Sequence, residues 1–236
     1  MNKPVAPPVN PLLEPWTGPF EAPPFDLLRP EHFAPAFAIA LAQKRSEIAG
    51  IAANPEPASF ANTIEALERS GDKLERVASV FFNLAGADSN DALEAIERDI
   101  APALSRLRSE LFLNEALFAR LEALHSARDA LGLDAEQARV LALYRIAFLR
   151  NGAALAPGAK ARLAEIDERL ATLGTQFGQN VLADEKAYAL ALETPEDGAG
   201  LPDSLLAAAA EAGAERGLPG PAITLSRSSI EPFLQF

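Results

Sequence analysis

The stretch PGAKARLAEIDERLATLGTQFGQNVL, residues 157–182, predicts one long amphipathic helix and decides the fold class. Proline at position 157 suits the first turn of a helix, because its missing N–H has no helical partner there. The large apolar residues that follow recur at intervals of three and four, which places them on one helix face. We expect this seam to pack along a neighbouring helix. Its members are Leu163, Ile166, Leu170, Leu173, Phe177 and Val181.

Helix starts and stops recur upstream of this stretch. A capping residue stands three positions before Glu or Gln at Asn62, Asp72 and Asp134, a spacing typical of a capping box. Asn114 is a candidate cap for the helix that carries Leu117, Leu121 and Leu124. Helical periodicity also begins at Pro30, and Gly152 is placed to end a helix. Residues 31–185 are therefore predicted to be a helical domain.

Residues 1–30 predict an extended arm that lies on the folded body. Proline at this density blocks helices and sheet ladders. The large apolar residues between the prolines are unlike a disordered tail, so we expect them to be buried. The prolines are Pro4, Pro7, Pro8, Pro11, Pro15, Pro19, Pro23, Pro24 and Pro30, and the apolar residues are Leu12, Leu13, Trp16, Phe20, Phe25, Leu27 and Leu28.

Residues 186–236 predict a small α/β segment. Alternation in residues 186–193 and the apolar run of residues 222–226 indicate two short strands, and residues 200–217 indicate a helix between them. The final residues, ITLSRSSIEPFLQF (223–236), predict a strand, a turn at SRSS and an apolar anchor of Phe233, Leu234 and Phe236. The predicted fold is thus mainly α: an elongated multi-helix bundle with a Pro-rich arm and a two-strand β element.

Composition narrows the function classes. The formal charge of −12 is opposite in sign to the net charge expected of a protein that binds nucleic acid or an anionic membrane. There is no cysteine, which excludes disulfides and fits a reducing compartment. The N-terminus lacks the apolar core of a signal peptide, and the sequence contains no stretch typical of a transmembrane helix. We expect a cytoplasmic protein.

No residue pattern indicates a catalytic or metal site. His32 and His125 lack a second histidine at helical spacing, so we interpret both as residues at helix ends. Residues 88–99 lack the glycine of a calcium loop and are better explained by a helix cap at Ser89, Asn90 or Asp91. Glu165 and Glu168 alternate with arginines, which is typical of a solvated face. We therefore assign no catalytic, cofactor-binding or metal-binding residue.

The succession of segments resembles a known family. NPLL (10–13), PPFDLLRPEHFAPAF (23–37), FLRNGAAL (148–155) and LATLGTQFGQNVLADEK (170–186) are similar, in order, to the N-terminal part of the thimet-oligopeptidase-type (M3 family) zinc metallopeptidases. The segments QKRSEIAGIAANP (43–55) and ALERSGDKLERVASVFF (66–82) resemble the bacterial peptidyl-dipeptidase (dipeptidyl carboxypeptidase) branch most.

The resemblance implies a helical wall of a deep substrate channel. In this family an HExxH helix in the other half holds zinc, which activates a water for attack on short peptides. A peptidyl-dipeptidase releases dipeptides from peptide C-termini. HExxH does not occur in these 236 residues. The resemblance thus implies an N-terminal portion that carries no zinc, is inactive alone, and has the missing catalytic half as partner. Such a wall is expected to expose apolar surface. The alternative is a stand-alone helical module that binds peptides or a protein without hydrolysing them.

Overall fold

The computed structural model describes residues 9–236 and confirms a mainly α-helical fold with a two-strand antiparallel sheet near the C-terminus. Contacts divide the chain into two compact units, of which the first ends at Thr175 and the second is Gln176–Phe236. The division into an arm (1–30), a helical channel wall (31–185) and a segment that leads to a catalytic domain (186–236) stays a prediction. Pro4, Pro7, Pro8 and the interpretation of the extreme N-terminus lie outside the described residues.

Helices make up most of the first unit. Short 3-10 turns occupy Pro19–Glu21, Pro30–His32 and Arg128–Ala130, and a π-helical turn occupies Phe60–Glu65. The last helix, α7, continues past Thr175 into the second unit. The helices are α1 (Phe33–Ala52), α2 (Ala66–Arg69), α3 (Asp72–Ala87), α4 (Asp91–Phe112), α5 (Glu115–Ala127), α6 (Ala135–Arg150) and α7 (Pro157–Ala187).

Three of the predicted helix starts are confirmed by side-chain caps. Asn90 Oδ1 accepts the N–H groups of the second and third residues of α4, each at 3.1 Å. Asn114 Oδ1 accepts the N–H of Leu117 at 3.0 Å. Asp134 and Gln137 form a reciprocal capping box at the start of α6. These bonds satisfy N–H groups that have no partner within the helix.

Two predicted caps are wrong. Ser59 caps the turn before α2. Asn62 is the third residue of that turn, and its side-chain oxygen accepts the N–H of Ser59 at 2.8 Å. The box forms one turn earlier than predicted because Ser59 and Asn62 have the same reciprocal spacing. Asp72 is the first residue of α3 rather than its cap, which is Gly71. The N–H of Gly71 donates to Glu47 Oε2 of α1 at 2.7 Å, and this bond holds the turn.

Two apolar cores hold the first unit together. In the first core, the ring of Phe81 makes edge contacts with Phe33 and Phe37 at centroid distances of 5.2 and 5.3 Å. This core joins α1, α3 and α4 to the N-terminal arm. The second core joins α1, α2, α4, α5 and α6 around fully buried residues. They include Ile64, Leu117, Leu121, Leu124, Leu141 and Phe148.

The N-terminal arm is only partly buried, which corrects the prediction. Leu12 and Leu28 are buried in the first core, and Leu13 and Trp16 pack against it. Asn10 Nδ2 fixes the arm by donating to the carbonyl of His32 at 2.7 Å. Phe20, Phe25 and Leu27 are exposed, contrary to expectation. The arm is held at its two ends, and the proline-bounded segment between them leaves those side chains outside the core.

The second unit contains the short sheet and two helices. Strand β1 (Ala189–Ala191) pairs antiparallel with β2 (Ala222–Thr224), with Leu190 opposite Ile223. Both strands are shorter than predicted. Helices α8 (Asp203–Glu215) and α9 (Arg227–Phe233) pack on them around Leu192, Ala209 and Ile223.

Helix α9 replaces the turn that was predicted at SRSS. The carbonyl of Ser226 accepts the N–H groups of Ser229 and Ile230 at 2.9 Å, and so starts the helix. A helix places Ile230 and Phe233 on one face, where both pack on the small core. Of the predicted apolar anchor, Phe233 therefore packs on the small core, whereas Leu234 and Phe236 are exposed.

Candidate functional site

The two histidines of the chain serve helix ends. His32 Nδ1 accepts the backbone N–H of Arg29 at 3.1 Å, at the turn that leads into α1. His125 lies in the last turn of α5, and its carbonyl accepts a hydrogen bond from Arg128 at 2.8 Å. Both interpretations from sequence are confirmed. Within residues 9–236, no three His, Cys, Asp or Glu side chains gather where they could hold a metal ion.

The paired carboxylates on α7 have separate structural partners. Glu165 accepts from Arg162 Nη1 at 3.0 Å within the helix. Glu168 instead reaches α4, where its Oε1 lies 2.5 Å from Arg106 Nη1. The interpretation of Glu168 as part of a purely solvated face is therefore incomplete. Arg106 and Glu168 are 62 positions apart, so no local pattern could have shown this pair.

Lys160 is a buried cation that was not predicted from the sequence. The residue is only 9% exposed, and its Nζ donates to Glu115 Oε1 at 3.0 Å. This pair fixes the first turns of α7 to the start of α5. The sequence offered one signal for its burial: Lys160 lies at helical spacing from Ala164 and Ala171. A line of small residues lets a neighbouring helix approach closely and so indicates the side of α7 that packs.

A groove of about 450 Å³ lies between α4 and the first half of α7. Both cations that line it are in ion pairs, Lys160 with Glu115 and Arg106 with Glu168. Glu110, which also lines it, pairs with Arg45. The groove is suited to contact with another apolar or weakly polar surface, since its charges are compensated. Its lining is Arg106, Ser109, Glu110, Leu113, Lys160, Ala161, Ala164, Glu165 and Glu168.

The apolar side of α7 is largely exposed in the first unit. We define the α7 face as Leu163, Ile166, Leu170 and Leu173. Leu163 is half-buried, whereas Ile166, Leu170 and Leu173 are 38%, 60% and 41% exposed. Gly174 borders the face, and apart from its chain neighbours and the backbone of α7 no atom lies within 4 Å of the position that a β-carbon there would occupy. In the part of α7 that belongs to the second unit, Phe177 and Val181 are also exposed.

The predicted packing of this seam on a neighbouring helix is therefore wrong. Helix α7 meets the rest of the first unit through the ion pairs of Lys160 and Glu168 and through Leu163, whose Cδ2 lies beside Gly152. Ile166, Leu170 and Leu173 are rotated away from Lys160 and Glu168, because each residue of a helix turns by about 100°. The predicted exposure of apolar surface is confirmed at this face. Periodicity predicts an apolar face on a helix, but it does not show whether another helix of the same chain packs on that face.

A second groove, of about 630 Å³, lies between the arm and α3. The guanidinium of Arg76 lies 4.2 Å from the ring centre of Trp16 and donates to the carbonyl of Glu14 at 2.9 Å. These contacts fasten the arm to α3 and leave Arg76 already engaged. The other lining residues are Pro23, Phe25, Asp72, Glu75, Ser79, Val80 and Asn83.

Among residues 9–236, burial is the main cause of a shifted pKa for Tyr144 and Lys44, and both side chains connect helices. Burial, with a hydrogen bond from its hydroxyl to Glu68 Oε1 at 2.6 Å, raises the pKa of Tyr144. Burial lowers the pKa of Lys44, whose Nζ donates to the carbonyl and hydroxyl oxygens of Ser70, each at 2.6 Å. The hydrogen bond of Tyr144 thus joins α6 to α2, and those of Lys44 join α1 to the end of α2.

Among the described residues, the helices all fall short of the length and apolar character needed to cross a bilayer.

Comparison with known proteins yields relatives that are peptidases. The chain is 41% identical over 210 residues to dipeptidyl carboxypeptidase of Escherichia coli K12, and 42% identical over 209 residues to that of Salmonella typhimurium LT2. Each match covers 89% of this chain and 31% of the relative. Oligopeptidase A of Salmonella typhimurium is 28% identical over 96% of this chain and 33% of its own length. No protein-family model matches.

The chain spans about a third of the length of the curated relatives that it matches. Its identity is higher to the dipeptidyl carboxypeptidases than to oligopeptidase A. The resemblance seen in the sequence is thereby confirmed: this chain is a homologue of the N-terminal part of the thimet-oligopeptidase-type (M3 family) peptidases.

Proposed function

We propose that this chain is the N-terminal, non-catalytic portion of a zinc-dependent peptidyl-dipeptidase that degrades short peptides. The observation that carries the proposal is the 41% identity to a dipeptidyl carboxypeptidase over 89% of this chain but only 31% of that protein. On this proposal, the longer protein releases dipeptides from peptide C-termini. A cytoplasmic location is part of the proposal, because a chain without cysteine fits a reducing compartment.

Zinc and the hydrolytic chemistry are proposed for the remaining part of the longer protein. The described residues of this chain do not offer a zinc ligand set. We therefore assign this chain no step of the reaction. Its proposed contribution is a helical wall that confines short peptides and supports the catalytic half, and the two grooves and the α7 face are surfaces suited to such contacts.

The direct test is activity with and without the remaining part. The chain alone, supplied with zinc, is expected to release no dipeptide from the C-terminus of a short N-terminally blocked peptide. Co-expression with the polypeptide encoded after codon 236 is expected to yield chelator-sensitive release of dipeptides. Chelator-sensitive cleavage by the chain alone would contradict the proposal.

The alternative is a stand-alone helical module that binds peptides or a protein without hydrolysis. The observation that favours it is that both grooves and the α7 face are open in this chain by itself. Sequencing the coding DNA past codon 236 separates the two functions. A reading frame with HExxH supports the peptidase portion. A stop codon with no such frame, together with heat evolved on peptide titration of the chain, supports the binding module.

A further inference from the structure

We propose that the α7 face is the docking surface for one amphipathic helix contributed by the remaining part of the longer peptidase. This inference rests on the proposed function and names the residues through which the two parts meet. It concerns the face formed by Leu163, Ile166, Leu170 and Leu173, all within the first unit.

The geometry of the face matches a helical occupant. From Leu163 to Leu173 it runs about 15 Å, or roughly three turns, at the rise of an α-helix. Its side chains stand at intervals of three and four, which form the ridges that a second helix packs against. Gly174 at its border leaves space into which a partner backbone can approach. The ion pairs of Lys160 and Glu168 hold α7 in place from another side, so the face is available without loosening the helix.

An extended peptide is a poorer occupant for the same face. Its backbone N–H and C=O groups would need partners once buried. The backbone groups of an α-helix interior such as this part of α7 already bond within the helix, and the side chains of the face are purely apolar. A helix satisfies its own backbone and presents apolar side chains, so it covers the face without leaving polar groups unpaired.

A second copy of this chain is also disfavoured. Each copy carries a formal charge of −12, so two copies repel each other as they approach. The relatives, in contrast, carry roughly twice as much additional sequence beyond the matched part, since the match covers 31% of their length. That additional sequence is the occupant to which we commit.

The test measures binding between the full 236-residue chain and the polypeptide encoded after codon 236, expressed separately. We expect Leu170→Glu to weaken binding at least about tenfold and the Ile166→Glu/Leu170→Glu double variant at least about 100-fold, as for central apolar contacts of an interface. Isothermal titration calorimetry gives the dissociation constants. Unchanged unfolding midpoints are expected for these variants, because both side chains are substantially exposed in the chain alone.

Leu131→Glu is the matched control. Leu131 is 38% exposed, the same as Ile166, and follows the 3-10 turn Arg128–Ala130, away from α7 in the sequence. Its substitution is expected to change the dissociation constant less than about twofold. An equal loss of affinity in Leu131→Glu and Leu170→Glu would overturn the assignment of the face.

Failure of this inference and failure of the proposed function give different results. If the two polypeptides bind and restore activity, and the α7 variants bind as the wild type does, the docking surface is wrong and the proposed function stands. If the wild-type chain neither binds the second polypeptide nor gains activity, the proposed function fails, and the docking fails with it. Light scattering that shows a wild-type dimer abolished by Leu170→Glu, with binding to the second polypeptide unchanged, would identify a second copy as the occupant.

Discussion

Nζ of Lys160 lies 3.0 Å from Oε1 of Glu115, and this ion pair joins the start of α7 to the start of α5. The two partners differ in environment: the Lys160 side chain is almost fully buried, whereas that of Glu115 faces solvent. The carboxylate of Glu115 therefore stabilises the chain mainly because it compensates the buried charge of Lys160. An ion pair between two exposed side chains would contribute little to stability.

Removing the carboxylate should cost more than removing the cation. We expect Glu115→Gln to lower the free energy of unfolding by about 1 kcal/mol, because the buried ammonium loses its charged partner. Lys160→Met should change it by less than about 0.5 kcal/mol, since methionine keeps the apolar stem and removes the cost of burying the charge. Urea unfolding measures both. Glu115→Gln in the Lys160→Met background isolates the interaction of Glu115 with the helix dipole. A larger loss for Lys160→Met would contradict this account.

Arg120 ties the segment after α1 to α5. Its guanidinium donates to the carbonyls of Asn54 and Glu56 at 2.9 and 3.1 Å and to Asn62 Oδ1 at 2.7 Å. Arg120→Lys is expected to cost about 2–3 kcal/mol, because an ammonium cannot span this set of acceptors. Urea unfolding measures the loss.

The control for Arg120 is Arg69→Lys, which alters an exposed ion pair with Glu65 one turn away and should cost less than about 0.5 kcal/mol. Hydrogen exchange should show faster opening of residues 53–63 only in the Arg120 variant. Equal unfolding free energies for the two variants would show that the Arg120 bonds add no stability.

Tyr144 should make stability fall in alkali. Burial and the bond to Glu68 raise the pKa of Tyr144 above its ordinary value of 10.0. Above about pH 10 the unfolded chain releases this proton while the folded chain keeps it, so the free energy of unfolding declines as pH rises. Tyr144→Phe should lack this decline between about pH 10 and pH 11.5. Urea unfolding across that range measures the difference.

Absorbance of tyrosinate checks the cause directly. In a Tyr188→Phe background, Tyr144 is the remaining tyrosine, so the folded chain should ionise above the pKa of free tyrosine. A titration midpoint near that of free tyrosine would contradict the raised pKa. Parallel pH profiles for wild type and Tyr144→Phe would show that other groups cause the alkaline loss.

Gly152 should not tolerate a side chain. Its φ is +90°, and an added β-carbon would lie 2.6 Å from Leu163 Cδ2 and 2.9 Å from Leu155 Cδ1. We expect Gly152→Ala to cost about 1–3 kcal/mol through backbone strain and overpacking. Gly174→Ala is the matched control, because it stands in open space within α7 and should gain about 0.5–1 kcal/mol. Thermal unfolding of the two variants in opposite directions is the expected result, and a loss of stability in both would count against it.

Local chemistry made several features predictable. The caps at Asn90, Asn114 and Asp134 act within three residues, so the pattern of residue types is enough to place them. The errors at Asn62 and Asp72 are of the same kind: a competing residue, Ser59 or Gly71, starts the turn earlier. The succession of segments also carried the family resemblance, which the peptidase relatives confirm.

The partners of each surface were decided only by the tertiary structure. The period of three and four in residues 157–182 determined a helix and its apolar seam, because helical geometry repeats locally. Which side of that helix meets the body depends on residues far away in the sequence, such as Arg106 and Glu115. The sequence by itself therefore determined most of the helices, the caps at Asn90, Asn114 and Asp134, and the family resemblance. Only the folded chain decided that Lys160 is buried and Leu170 exposed, because burial is set by contacts between distant segments.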